Sequence, residues 1–190
     1  MSTSSFCTTQ NDLLLNNLLD FYKTENNLDR MLKIITGESR ISLRIVDWFA
    51  TNYAKKYYTL YTINESGNNV ERRFKVYVDY KLKLKAYSKK RFDPFCRWER
   101  ISIPYKNGQY IETTIGQLNF FKWALENKVV DYIDENYEII EKDMNSRNST
   151  SKRKDIIQDN SKTRKKREEL SISATKSIKK EKVEIVVQFN

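Results

Sequence analysis

From Phe74 to Ala86 the chain alternates strictly between apolar and polar positions. Phe74, Val76, Val78, Tyr80, Leu82, Leu84 and Ala86 are apolar or aromatic, while Lys75, Tyr77, Asp79, Lys81, Lys83 and Lys85 stand between them. A period of two predicts a strand with one face buried and the other in water. The wet face would then carry Lys75, Tyr77, Lys81, Lys83, Lys85 and, just beyond, Tyr87. Upstream, YYTLYTI (57–63) is β-branched and aromatic, and ESGNN (65–69) supplies turn residues, so a β-hairpin is expected across 57–86. Asp93-Pro94 should end the long segment, because the residue before a proline is driven from helical backbone. RISIPY (100–105), the turn KNG (106–108) and QYIETTI (109–115) read as a second hairpin, expected to share a sheet with the first.

Elsewhere the spacing is that of helices. Leu13, Leu14, Leu18 and Phe21 form a stripe behind a cap at Asn11 or Asp12. A short helix over 28–35 should stop at Gly37, and a stronger one opens at Ser39 or Ser42 with Leu43, Val46, Phe49, Ala50 and Tyr53 inward. Thr113 or Thr114 caps a helix with Ile115, Leu118, Phe121 and Leu125 on one face. After a break near Asn127-Lys128, Val130, Ile133, Tyr137, Ile140 and Met144 continue a stripe on another. Residues 145–169 are polar, charged and nearly free of apolar side chains, a composition that cannot offset its own ordering entropy. In VEIVVQF, Val183, Ile185 and Val187 alternate again, as in a terminal strand returning to a sheet of this chain or of a partner. The expected organisation is a flexible leader (1–10), one α+β domain (11–144), a basic linker (145–169) and a C-terminal segment with a strand (170–190). The domain would be a small antiparallel sheet of two hairpins packed with N-terminal and C-terminal helices.

Composition supports a real core, since 39% of the 190 residues are hydrophobic and 13% aromatic despite 32% charged. No apolar run is long enough for a transmembrane helix, and the first residues lack the basic start and apolar block of a secretory signal, so an intracellular setting without membrane association is expected. Histidine is absent, which removes the commonest general base and metal ligand. The two cysteines, Cys7 and Cys96, cannot build a four-ligand zinc site, and none of the four glycines forms a phosphate loop. Neither an enzyme nor a metal or organic cofactor is therefore expected.

Charge is segregated along the chain. The net charge is +10, but residues 1–70 sum to zero, 71–100 to +7, 101–144 to −4 and 145–190 to +7. Two basic segments flank an acidic one, a distribution suited to meeting a polyanion. Lysines two apart on a strand lie about 7 Å apart, close to the phosphate spacing of a nucleic-acid strand. The expected interface therefore comprises Arg72, Arg73, Lys75, Lys81, Lys83, Lys85, Lys89, Lys90 and Arg91 on phosphates, with Tyr77 and Tyr87 stacking on bases. The clusters Lys152, Arg153, Lys154 and Arg164, Lys165, Lys166, Arg167 extend it into the tail, where their spacing also matches a bipartite nuclear-import signal. DNA and RNA stay equally open as ligands. The rival reading is a structural or interaction protein, docking through its basic segments and through Val183–Phe189 on a partner or a second copy. GQLNFFKWALEN (116–127) suggests a helix-turn-helix, but its block is net acidic, so core packing is expected there.

FDPFCRWERI, TTIGQLNFFKWALENKVVDYI and the closing ELSISATKSIKK and VEIVVQF are similar to a family of uncharacterised proteins of large nucleocytoplasmic DNA viruses of the mimivirus type. The resemblance covers about 41–144 and 168–189 and brings no catalytic signature. It implies a setting only: a viral protein acting in the infected-cell cytoplasm, the viral factory or the particle. The richness in Asn, Lys, Ile and Tyr, typical of an AT-rich genome, agrees with that source.

Overall fold

The computed structural model describes residues 9–24, 26–64, 71–97, 99–157 and 179–182. Helix α1 (Gln10–Lys23) is followed by α2 (Asn27–Thr36) and by α3 (Leu43–Trp48), which runs through a π-helical segment, Phe49–Tyr53, into α4 (Ala54–Lys56). Strands β1 (Leu60–Asn64) and β2 (Glu71–Lys75) lead straight into α5 (Val76–Phe92). β3 (Arg100–Pro104), a 3-10 turn (Lys106–Gly108) and β4 (Gln109–Thr114) precede α6 (Ile115–Glu126), α7 (Val129–Glu135), α8 (Tyr137–Ile157) and β5 (Lys179–Lys182). The α+β class holds, with more helix than the alternation implied.

Local chemistry explains most boundaries. Thr9, not Asn11 or Asp12, caps α1: it forms a capping box in which its hydroxyl accepts from the Asp12 N–H and the Asp12 carboxylate accepts from the Thr9 N–H at 3.0 Å. Those hydrogen bonds hold the Asp12 carboxyl below its usual range. Gly37 closes α2 in the left-handed region at φ 81°, where a side chain would be strained. Ser42 and Thr114 cap α3 and α6 with their hydroxyls. In the π turn the Thr51 hydroxyl donates to the Asp47 carbonyl at 2.7 Å, occupying an acceptor of the regular ladder.

The two hairpins do not share a sheet. β1 and β2 pair antiparallel with Tyr61 opposite Phe74, while β3, β4 and β5 form a separate three-stranded antiparallel sheet with β4 central. The reason lies between them: the chain expected to continue β2 as a strand turns helical at Val76. The tail does return to this sheet, but through Lys179–Lys182 beside Gln109–Glu112. Val183–Phe189 lie outside the described residues. Helix α8 also extends to Ile157, so the first part of the expected linker is helical.

The core is organised around α6, which contacts α1, α2, α5, α7 and β4. Nearly every residue from Ile115 to Leu125 is buried, with Leu118, Phe120, Phe121 and Ala124 fully so. Each large side chain of that kind contributes about 1.5–3 kcal/mol. Polar groups inside are partnered: the Tyr22 hydroxyl donates to the Leu118 carbonyl at 2.7 Å, and the Asn119 amide donates to the Arg91 carbonyl at 2.8 Å. Ion pairs fasten the periphery, with Arg30 on Asp131 and Arg40 on Asp134 joining α2 and its following turn to α7. Tyr105 and Lys106 both reach Asp29 from the β3–β4 turn. Asp143, buried on α8, accepts from the Trp48 indole, the Lys56 ammonium and the Tyr57 hydroxyl at 3.0–3.2 Å.

Two stability predictions follow from this packing. A Cβ at Gly116 would sit 2.8 Å from the Asp93 carbonyl oxygen and 3.1 Å from that of Lys90, both backbone atoms. Gly116→Ala should therefore lose about 1–3 kcal/mol in chemical denaturation, and an unchanged midpoint would disprove the close approach. Asp47 is partly buried, and burial together with the nearby Asp93 carboxylate pushes its pKa up to about 7. A folded-state pKa above the unfolded one means stability is full below about pH 4 and falls as pH rises through 7. Asp47→Asn should thus match the parent near pH 4 and exceed it at pH 8, by at most about 4 kcal/mol. Equal melting curves at pH 8 would contradict that environment.

Candidate nucleic-acid interface and an adjoining cleft

On a helix, residues advance about 100° each, so the alternating segment is redistributed around α5 rather than split between two sheet faces. Val76, Tyr80 and Phe92 are buried against α6, where Tyr80 and Phe92 lie 5.8 Å from the Trp123 ring. Asp79 accepts from the Trp123 indole N–H at 2.7 Å. Lys81 and Lys85, one turn apart, point outward with Val78 (51% exposed) and Leu82 (60% exposed). Lys83 is on the other side and lines a cleft beside Glu126 and Asn127. The lysines expected in one row thus divide between two faces. The helix kinks at Ser88, whose φ of 63° is not helical, before its last turn of Lys89, Lys90 and Arg91.

The outward face borders a groove. Its first part, about 520 Å³, lies between α4, β1 and α5 and is lined by Lys55, Tyr58, Leu60, Lys75, Tyr77 and Val78, with Ala54 and Thr59. Tyr77 and Val78 carry it into a second part of about 500 Å³ along α5 to Lys81, Leu82, Leu84 and Lys85. Lys55, Lys75, Lys81 and Lys85 line it and, among the described residues, no carboxylate does. Tyr58 is 89% exposed, on a backbone at φ 49° that non-glycine residues seldom adopt, so the fold holds its ring out in water at a cost. Leu60 is also exposed. The Lys55 ammonium lies 5.7 Å from the centre of the Tyr77 ring.

The remaining expected residues scatter. Arg73 is exposed on β2, and Lys89 on α5. Arg72 is exposed too, but its guanidinium is engaged, donating to the Asn127 side-chain oxygen at 2.8 Å and lying over Phe74. Lys90 pairs with Glu99 at 3.0 Å, and Arg91 is half-buried. Tyr87 does not offer a free face: its ring stacks on Phe92, and it packs against the core because helical spacing places it on the Tyr80 side of α5. Lys152, Arg153 and Lys154 fall on the last turns of α8, and Arg164, Lys165, Lys166 and Arg167 lie outside the described residues. The Asp93 carboxylate accepts from the Phe95 N–H at 2.9 Å, closing the turn after α5. Trp123 is core, Trp48 is partly exposed, and Trp98 lies outside the described residues. Sequence reasoning missed Lys55, Tyr58 and Leu60; the signal available was KKYY (55–58), a basic-aromatic run at a helix end.

The cleft on the inner side encloses about 580 Å³ between α2, the β1–β2 hairpin, α5 and the α6–α7 junction. Arg30, Arg72, Lys83 and Lys128 line it, against the carboxylates of Asp79 and Glu126. Buried Asn127 is its hub: besides accepting from Arg72, its amide donates to the Trp123 carbonyl, and its own carbonyl accepts from the Tyr61 hydroxyl at 2.7 Å. Desolvation raises the Tyr61 phenol far above its ordinary range, so it stays a donor. Among the described residues no group of three or more Cys, Asp or Glu side chains is placed to hold a metal ion, and no helix is long and apolar enough to cross a membrane.

A family model described as a family of unknown function, DUF7197, matches residues 2–190, and the chain belongs to that family. It is similar to "Uncharacterized protein L507" of Acanthamoeba polyphaga mimivirus, 46% identical over 129 residues. That match covers 65% of this chain and 49% of the relative, so the chain spans about half the length of the curated relative it matches. The expected viral resemblance is thereby established. No solved structure matches.

The division of lysines can be checked directly. Under limiting acetylation followed by peptide mass spectrometry, Lys81 and Lys85 should react several-fold faster than Lys83, which is partly buried. Equal rates for all three would return them to one face.

Proposed function

We propose that this viral family member is a non-catalytic, largely sequence-independent nucleic-acid-binding protein acting in the infected cell, and that the groove along α5 takes a single strand. The observation that carries this reading is the groove's make-up: among the described residues four lysines and no carboxylate line it, interleaved with Tyr58, Tyr77, Leu60, Val78 and Leu82. Phosphates of a flexible strand would follow Lys55, Lys75, Lys81 and Lys85, releasing counterions. Unpaired bases would lie against the tyrosines and the apolar side chains, an interaction available to every base because each has a π-face. A duplex buries its bases and would leave that platform in water. The groove reads no base edge, hence the lack of sequence preference.

The basic tail adds phosphate contacts of its own under this reading, so the groove is tested within the full chain. Replacing Lys75, Lys81 and Lys85 together by glutamine should weaken binding to labelled single-stranded DNA or RNA uniformly across sequences. The slope of log affinity against log salt should flatten by about 2, at roughly 0.7 per phosphate contact. Tyr77→Ala should cost about 1–3 kcal/mol of affinity for single strands and little for duplex. Absence of binding at low salt would overturn the proposal. It would favour the second reading, supported by exposed Leu60, Val78 and Leu82, in which the groove receives a segment of a partner protein.

A further inference from the structure

We infer that the inner cleft is a separate binding site for a nucleoside monophosphate, either free or at the end of a strand. This does not rest on the outer groove, because the two lie on opposite sides of α5 and share none of their lining residues.

The argument starts from which charges are already spent. Arg30 is committed to Asp131, and Arg72 is fixed by Asn127 and Phe74. Of the two carboxylates, Asp79 is engaged by the Trp123 indole, and Glu126 has Lys122 at 3.7 Å. Lys83 and Lys128 remain, and neither ammonium has a hydrogen-bond or ion-pair partner among the described residues. Lys83 is partly buried, where an unpaired ammonium is costly. Lys128 stands at φ 55°, a left-handed backbone that places a strained non-glycine residue at the rim. Two uncommitted ammonium groups, with two preorganised guanidinium groups beside them, match a doubly charged phosphate monoester.

The rest of the cleft suits a nucleoside. Ile63 and Leu125 are buried beneath the cleft, and Phe21, partly exposed with the Lys122 ammonium 5.6 Å from its ring centre, offers the apolar edge that a base can meet. The Asn64 amide is exposed at the edge without a hydrogen-bond partner among the described residues, free to meet a base edge. A volume of about 580 Å³ falls in the ordinary range of small-ligand pockets, ~300–1,000 Å³. An inorganic anion would use the cations and leave the apolar edge and the amide unmatched.

Isothermal titration of the full chain at low salt with adenosine monophosphate, adenosine and inorganic phosphate tests this. Adenosine monophosphate should bind at least ten-fold more tightly than either fragment. Lys83→Gln and Lys128→Gln should each weaken it about ten-fold, Glu126→Gln should strengthen it, and Lys142→Gln, exposed on α8 and outside both linings, should leave it unchanged. Circular dichroism melts show whether each variant folds, and Glu126→Gln keeps the test decisive even if Lys83→Gln does not, since it predicts a gain. Competition by a 5′-phosphorylated but not a 5′-hydroxyl oligonucleotide would place the ligand at a strand end. Failure of both to compete would make it a free nucleotide, and either result supports the site. No binding of adenosine monophosphate, equal binding of inorganic phosphate, or equal loss in Lys142→Gln would overturn it.

Discussion

The contact on which the structure turns is the approach of α5 to the start of α6 at Gly116. There the backbone carbonyls of Lys90 and Asp93 come so near that no side chain fits. That approach lets Asn119 cap the Arg91 carbonyl and brings Phe92 and Tyr80 onto Phe120 and Trp123 in one aromatic cluster. It also sets how α5 is turned about its own axis. Once Tyr80 and Phe92 face α6, Lys83 must point to one flank and Lys81 and Lys85 to the solvent side. The outer groove and the inner cleft are both consequences of that single rotational setting.

This is where the alternation in the sequence misleads. The apolar set at even positions satisfies a strand over the whole of 74–86, yet the buried residues there are Phe74, Val76 and Tyr80, the last two at the i, i+4 spacing of a helix that Leu84 and Tyr87 continue against the core. The contrary signal was present in the odd and even positions together: Lys, Leu and Ala from 81 to 86 are all good helix formers. Asp79 near the start, with Lys89, Lys90 and Arg91 near the end, suits the helix dipole. Burial against an α6 that is apolar nearly all round decided the outcome, and that partner is far away in sequence. Nothing local announces the switch, since β2 passes into α5 with no glycine, proline or asparagine between Lys75 and Val76.

Where short-range chemistry governs, the sequence was legible. The hairpin pairings, the caps at Ser42 and Thr114, the stop at Gly37 and the break at Asn127-Lys128 all rest on residues within a few positions of each other. What depended on distant partners was not. The hairpins were expected in one sheet but are divided by α5, and the inner cleft unites Arg30, Arg72, Lys83 and Lys128 from four separate elements. Of the expected interface, Lys75, Tyr77, Lys81 and Lys85 do share one surface, because residues one helical turn apart are neighbours as surely as residues two apart on a strand. Lys83 and Tyr87 left it for the same geometric reason.

The exposed apolar residues carry the last step. A soluble helix whose only task is to cover a core has no need of Val78 and Leu82 in water, nor a hairpin of a strained, protruding Tyr58 before it. Single exposed apolar side chains are ordinary, but here they sit together between lysines, with no carboxylate among the described residues of the lining. Lysine repulsion and apolar hydration both work against leaving such a surface bare, and a ligand that is anionic and carries flat apolar faces relieves both at once. The alternation from Phe74 to Ala86 therefore makes sense as two overlapping patterns on one helix. One, with a period near four, builds the core, and the remainder, set on the outer face, belongs to whatever the groove holds. Departures from local folding rules are expected where function imposes its own demand, and in α5 they fall on the side away from α6.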